Sequence, residues 1–451
     1  PKTGVFGLID VVGLDLVPPV LESLLKGVPR NDEYHQFDEQ PEIFHYMLEK
    51  NLIGRKADGG FYKLREVDGK NIKHSLNLNT REYSVSKKPN IDSLNLGKKN
   101  IKAFLDYNDK YSNYAWSVLS ETLCYVLLHV EELSDDILSV DTAMREGFGL
   151  KQGPFELIDA LGAQWLRAKL KNSKKVIPDL LHKIGDSTFY KVEDNQIKIF
   201  DFKNNQYCPI KKPKGIILLS DIKRTNEPIK KVPTASLWDI GDGVTVFEIH
   251  SKGNSIDIGT MEFLNQSIDL ISSSYRAMII YNEGDFFSAG VNLGEAVFLG
   301  NIGLETEVVD QILKKGQQTF QKLKYSNFPV IAATSNMALG GGCEIVLHSD
   351  HVQAHVETYI GLTEAALGIC PAWGGCKEML TKFASNKILP KGPMPSIIKA
   401  FETIGMAKTS SSAHEARELG YLSDTDDITM NKDRLLFDAK VKALELISDY
   451  K

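Results

Sequence analysis

Residues 338–344 read Ala338-Leu339-Gly340-Gly341-Gly342-Cys343-Glu344, and the apolar run Ile345-Val346-Leu347 follows directly. Three consecutive glycines let a backbone approach a ligand closely, because no Cβ stands in the way. If the apolar run is helical, these glycines also place unpaired N–H groups at a helix N-terminus, where negative charge is favoured. A phosphate-cradling P-loop would continue with Gly-Lys-Ser/Thr, and Cys343-Glu344 follows instead, so that reading fails. In isolation the triplet would equally suit a tight turn packed against a neighbour.

The flanking sequence narrows the choice. Val244-Thr245-Val246-Phe247-Glu248-Ile249, Ala277-Met278-Ile279-Ile280-Tyr281 and Val330-Ile331-Ala332-Ala333 read as strands by alternation or by short apolar runs. Between the last two, Val308, Ile312, Phe320 and Leu323 fall on one face of a long helix. Strands alternating with helices from about Gly241 onward imply α/β architecture with crossover connections. A second loop, Gly284-Asp285-Phe286-Phe287-Ser288-Ala289-Gly290-Val291-Asn292-Leu293, comes directly after a strand. Twenty residues beyond Glu344 stands Glu364, in Ile360-Gly361-Leu362-Thr363-Glu364, followed by Gly368-Ile369-Cys370-Pro371-Ala372-Trp373-Gly374-Gly375.

Together these segments closely resemble the crotonase superfamily, the enoyl-CoA hydratases and isomerases, over about residues 238–430. Asn254-Ser255-Ile256-Asp257 is similar to the family's early CoA-contacting segment, and Ser412-Ala413-His414-Glu415-Ala416-Arg417-Glu418-Leu419-Gly420 to its late helical one. The resemblance implies a ClpP/crotonase-like spiral and a thioester enolate as intermediate. The enolate oxygen would be held by the backbone amides of Val291 and Gly341. Glu344 and Glu364 would share one water, Glu344 mainly as base and Glu364 delivering or relaying a proton to the α-carbon. Two carboxylates so placed, and buried, raise the pKa of at least one of them. Further substrate contacts are implied at Ser288, Ala289, Gly290, Asn292, Leu293, Gly340, Asn254, Ser255 and Ile256. The implied reaction is reversible hydration of trans-2-enoyl-CoA to 3-hydroxyacyl-CoA. An isomerase needs only one carboxylate, so the presence of both glutamates favours hydration. A third alternative is a silent scaffold for a dehydrogenase. Asn292, Thr363 and Trp373 depart from the family pattern, which more often has Asp, Pro and a small residue at these sites; Trp373 bears on acyl chain length.

The other half of the chain contains a repeat. Residues 2–13 and 151–162 match at Lys2/Lys151, Gly4/Gly153, Phe6/Phe155, Leu8/Leu157, Ile9/Ile158, Asp10/Asp159 and Gly13/Gly162. A second anchor follows each copy, Phe61-Tyr62-Lys63 and Phe189-Tyr190-Lys191. Ala115, Leu119, Leu123, Val126, Leu127 and Val130 predict an amphipathic helix leading into the second copy, and Asp135 is placed to cap a further one. The repeats, with Gly54-Arg55-Lys56 and Gly59-Gly60-Phe61-Tyr62, resemble the all-α C-terminal domain of 3-hydroxyacyl-CoA dehydrogenases. In that family the domain dimerises, so two copies in one chain imply an internal pseudo-dimer. The combined layout resembles bacterial multifunctional fatty-acid β-oxidation proteins. The expected domains are therefore 1–63 (a first copy lacking its opening helices), a linker 64–109, a second copy 110–207, a linker 208–236, and the crotonase-like domain 237–451. No GxGxxG follows a strand, so NAD and a dinucleotide-binding domain are expected upstream of Pro1 and no cofactor within the chain.

Composition sets outer bounds. With 42% hydrophobic and 25% charged residues, the 451-residue chain is globular rather than disordered or fibrous. Its net charge of −6 argues against a nucleic-acid binder that relies on bulk positive charge, while leaving room for local lysines to meet CoA phosphates. The expected compartment is the bacterial cytoplasm, with the mitochondrial matrix as alternative. Five irregularly spaced cysteines suit a reducing compartment. No metal site is expected, because His348, His351 and His355 run from a helix end into a strand and need not share a face.

Overall fold

The structure, a computed structural model, describes residues 4–450 except 68, 99, 285, 293, 295–304 and 386–388. It divides into two compact units, Pro1–Ile210 and Lys211–Lys451.

The first unit holds both copies of the repeat. In the second copy, helices Lys110–Leu133, Ile137–Phe148, Pro154–Leu161, Ala163–Asn172 and Asp179–Ile184 lead to antiparallel strands Tyr190–Glu193, Gln196–Asp201 and Gln206–Pro209. The first copy has helices Val5–Val12, Val17–Gly27 and Glu42–Glu49, then antiparallel strands Tyr62–Val67, Lys70–Leu76 and Tyr83–Val85. The same carboxylate ties both anchors down. Asp10 accepts from the amides of Phe61 and Tyr62 at 2.8 and 2.7 Å, and Asp159 from those of Phe189 and Tyr190 at 2.7 and 2.8 Å. A buried carboxylate satisfying two amides explains why motif and anchor recur as a pair.

Three expectations are corrected. Each copy carries a three-stranded sheet, so neither is purely helical. The stretch 64–109 is no linker: it contains most of the first sheet and helices Asp92–Gly97 and Ile101–Leu105. These strands are largely exposed and polar, which hides their alternation. Helix Ile137–Phe148 is capped by Asp136, whose side chain accepts from Ser139, while Asp135 pairs with Lys203 at 2.6 Å.

The second unit is built on a seven-stranded sheet in the order Asp427–Thr429, His351–His355, Val330–Thr334, Ala277–Tyr281, Val244–Ile249, Ala235–Asp239, Lys230–Val232. The first five strands run parallel, and the three central ones, Val330–Thr334, Ala277–Tyr281 and Val244–Ile249, are buried on both faces, which is why they read as largely apolar runs. Met278 and Ile280 face a core shared with Phe247, Phe263, Ile268 and Val330, whereas Ala277, Ile279 and Tyr281 face one shared with Leu435, Ala439 and Ala443. The stretch 208–236, expected as a linker, supplies helix Leu219–Thr225 and the edge strand Lys230–Val232. The amides of Leu219 and Ser220 are held by the Glu283 carboxylate.

After each of three large-sheet strands, the chain adds one strand to a second, parallel sheet: Phe286–Ser288, Met337–Leu339 and Tyr359–Gly361. This repeated turn is the expected spiral. Because the three short strands are parallel, their C-terminal ends lie side by side. The loops that leave them carry Val291, Gly341 with Glu344, and Glu364.

Candidate active site

The first loop is held by a single parallel bridge between Ile256 and Val291. Ile256 donates its amide to the Gly290 carbonyl at 2.8 Å and accepts from the Asn292 amide at 3.0 Å. Alternation along the strand therefore turns the Val291 N–H away from Ile256. Gly341 opens helix Gly341–Leu347, so its N–H belongs to the first turn and has no intrahelical acceptor. Neither amide has a hydrogen-bond partner among the described residues.

Glycine is needed where the two loops meet. At Gly290 (φ +91°) a Cβ would fall 2.8 Å from the Leu339 carbonyl oxygen and 3.2 Å from the Gly341 nitrogen. At Gly341 it would fall 3.0 Å from Trp373 Cζ3 and 3.4 Å from Val291 Cγ2. Close approach of two backbones thus sets a pair of donors side by side.

Glu344 follows one turn into the helix and is 2% exposed. Its Oε1 accepts from the amides of Trp373 (2.9 Å) and Gly375 (2.8 Å), leaving Oε2 for a ligand. Burial pushes this carboxyl up to about 8, against the two amides and with a further push from the charge of Glu364. Burial also raises Glu364, whose Oε2 is buried without a partner. A cleft lined by Ile256, Met261, Val291, Ile312, Lys315 and Trp373 opens beside the Val291 amide.

Several expected substrate contacts have other work. Ser288 is fully buried, and its Oγ donates to the Asn254 carbonyl at 2.7 Å and accepts from the Gly290 amide at 3.1 Å. Asn254 Nδ2 donates to the Phe286 carbonyl at 2.6 Å, and the Ser255 carbonyl accepts from Ser251 Oγ at 2.6 Å. These residues brace the loop from behind. Ala289 is exposed, Asn292 and Ile256 line the cleft, and Gly340 lies beside Glu364. Leu293 is outside the described residues.

The clamp on Glu344 was not anticipated from sequence. Its signal was Trp373-Gly374-Gly375, where Gly374 takes φ +113°. His348 also belongs here: its Nδ1 donates to the Glu344 carbonyl at 2.7 Å. His351 faces Asp426 and Asp427, and His355 accepts from the Glu357 amide, so the three histidines have separate partners. Cys343 is buried, which pushes its thiol up and away from thiolate chemistry.

Parts of both units are similar to known proteins. Residues 239–389 match the family model for enoyl-CoA hydratase/isomerase, and residues 117–192 that for the 3-hydroxyacyl-CoA dehydrogenase C-terminal domain. Each unit thus contains a stretch similar to one of these families. It is 36% identical to a Bacillus subtilis (strain 168) protein named "Probable 3-hydroxyacyl-CoA dehydrogenase", over 99% of this chain and 56% of the relative. It is 29% identical to a Rickettsia felis protein named "Putative fatty acid oxidation complex trifunctional enzyme", over 97% of this chain and 56% of the relative. The chain therefore spans about half the length of these relatives. Among solved structures, enoyl-CoA hydratase from Bacillus anthracis aligns with 48% of this chain and 76% of its own, at 25% identity and a TM-score of 0.39. Among the described residues, no helix is long and apolar enough to cross a membrane.

Proposed function

We propose that the second unit catalyses reversible hydration of trans-2-enoyl-CoA in fatty-acid β-oxidation. The observation that carries this reading is the meeting of two unpartnered amides, Val291 and Gly341, with the buried carboxyl of Glu344 and the half-buried one of Glu364. The thioester oxygen accepts from both amides, which stabilise the enolate that forms when water attacks; in comparable sites each such donor is worth roughly 3–4 kcal/mol. Glu344 takes one proton from the water as its hydroxyl adds to C3. Glu364 gives a proton to C2, so the elements of water end on the two carbons. As base Glu344 acts in its ionised form, a minority of the folded chain below about pH 8 that the two amides on Oε1 stabilise, and the partnerless Glu364 Oε2 suits a proton donor. Because the pair is coupled, it titrates as a unit. An isomerase would need only one of these carboxyls. Glu344→Gln and Glu364→Gln, assayed by loss of conjugated-enoyl absorbance, separate the two: hydration falls in both, isomerisation in only one.

The first unit we assign to 3-hydroxyacyl-CoA dehydrogenase action in a longer polypeptide, with the two copies packed as an internal pseudo-dimer. Tyr125 donates to Asp32 at 3.2 Å and His129 meets Glu33 at 3.1 Å, contacts that link the copies. The residues of this unit do not fit NAD. Both its sheets are antiparallel, whereas a dinucleotide crevice needs parallel strands with a glycine-rich turn. NAD added to this chain with 3-hydroxyacyl-CoA is expected to give no ketoacyl product.

A further inference from the structure

Trp373 touches the site twice. Its amide holds Glu344, and its side chain packs against Gly341 and lines the cleft beside the Val291 loop. The indole is buried, and its six-membered edge reaches Gly341, as the 3.0 Å approach of Cζ3 to a Cβ placed there shows. Its five-membered edge lies along helix Glu305–Lys324. There a Cβ on Gly316 would fall 2.1 Å from Trp373 Nε1 and 2.3 Å from Cδ1. A glycine in mid-helix disfavours the helix relative to alanine, and here it makes the slot that admits the indole. Phe320, one turn on, meets the indole edge-on with centroids 5.4 Å apart, and Gln317 Nε2 donates to the Ala372 carbonyl at 2.9 Å. The ring is wedged between the helix and the oxyanion loop.

We infer that Trp373 sets the acyl-chain length: the site takes short straight enoyl groups, such as the four-carbon crotonyl group, and discriminates against long ones. The inference rests on the hydratase reading. A thioester oxygen between the Val291 and Gly341 amides places C2 and C3 against the two glutamates. The apolar tail then enters the cleft formed by Ile256, Met261, Val291, Ile312 and Trp373. The indole is the bulkiest wall of that cleft, and it stands directly beside the donor at Gly341.

The test measures kcat/KM for four-carbon and ten-carbon trans-2-enoyl-CoA with the wild-type chain, Trp373→Ala and Trp373→Phe. A single methylene that fits or does not fit a pocket changes specificity by roughly 10–200-fold. Wild type should therefore favour the short substrate by about 100-fold or more, Trp373→Ala should bring the ratio within about tenfold by raising the long-chain value, and Trp373→Phe should fall between. Equal rates on both substrates in wild type overturn the inference, as does an unchanged ratio in either variant. If Trp373→Ala does not fold, the wild-type profile and the phenylalanine variant decide. Hydration of neither substrate by wild type would instead overturn the hydratase reading, a distinct outcome.

Discussion

Replacing Glu344 by Gln should stabilise the protein in alkali and leave it almost unchanged in acid. Burial raises this carboxyl from its ordinary 4.5 to about 8 in the folded state. Below pH 4.5 both folded and unfolded forms hold the proton, and the group costs nothing. Between pH 4.5 and about 8 the unfolded chain ionises while the folded one does not, so wild-type stability falls as pH rises. At roughly 1.4 kcal/mol per tenfold, the full loss is about 5 kcal/mol, of which about 4 kcal/mol accrues between pH 5 and pH 9. Gln cannot ionise, yet its Oε1 can still accept from Trp373 and Gly375. Urea unfolding of the full chain at pH 5 and pH 9, read by hydrogen exchange in strand Ala277–Tyr281, follows the second unit alone. Glu344→Gln should exceed wild type by about 1 kcal/mol at pH 5 and by about 5 kcal/mol at pH 9. Stability differences that stay constant across this range would refute the buried-carboxyl argument.

Gly341→Ala should lower hydration kcat/KM by about 10–100-fold, because its Cβ meets Trp373 and Val291 and shifts an oxyanion donor; a rate near wild type would contradict the close-approach account. Asp136→Ala should cost about 1 kcal/mol through loss of a helix cap, while Asp135→Ala, whose carboxylate is exposed and pairs with Lys203, should leave stability near that of wild type; denaturation of the two variants side by side checks the reassigned cap. Asp159→Ala leaves the Phe189 and Tyr190 amides without their acceptor and should destabilise the second repeat by about 2–4 kcal/mol, measured by urea unfolding followed in strand Gln196–Asp201.

Much of the second unit was legible because its signals are short and local. The glycine triplet, the two glutamates and the apolar strand runs each depend on close neighbours in sequence, and the parallel sheet buries whole strands, so their pattern survives. The repeat was legible as residue identities, although the bond from Asp10 to the Phe61–Tyr62 anchor spans about fifty positions and could not be read. Polar, half-exposed strands were missed. Val67-Asp68-Gly69-Lys70 is a hairpin signal of the Asp-Gly kind, and Asp194 and Asn195 both take positive φ between paired strands. Asn254 and Ser288 looked like substrate contacts because they lie beside the ligand loops. Only tertiary packing shows that their polar groups are already engaged in bracing them.

In the proposed reaction Glu344 and Glu364 act together on one water. Loss of conjugated-enoyl absorbance from crotonyl-CoA, followed in wild type, Glu344→Gln and Glu364→Gln, tests it most directly. Each single variant is expected to lose activity by about 10²–10⁴-fold, the usual reach of a positioned acid or base, while still binding 3-hydroxybutyryl-CoA. Wild-type turnover in either variant would contradict the two-carboxylate account.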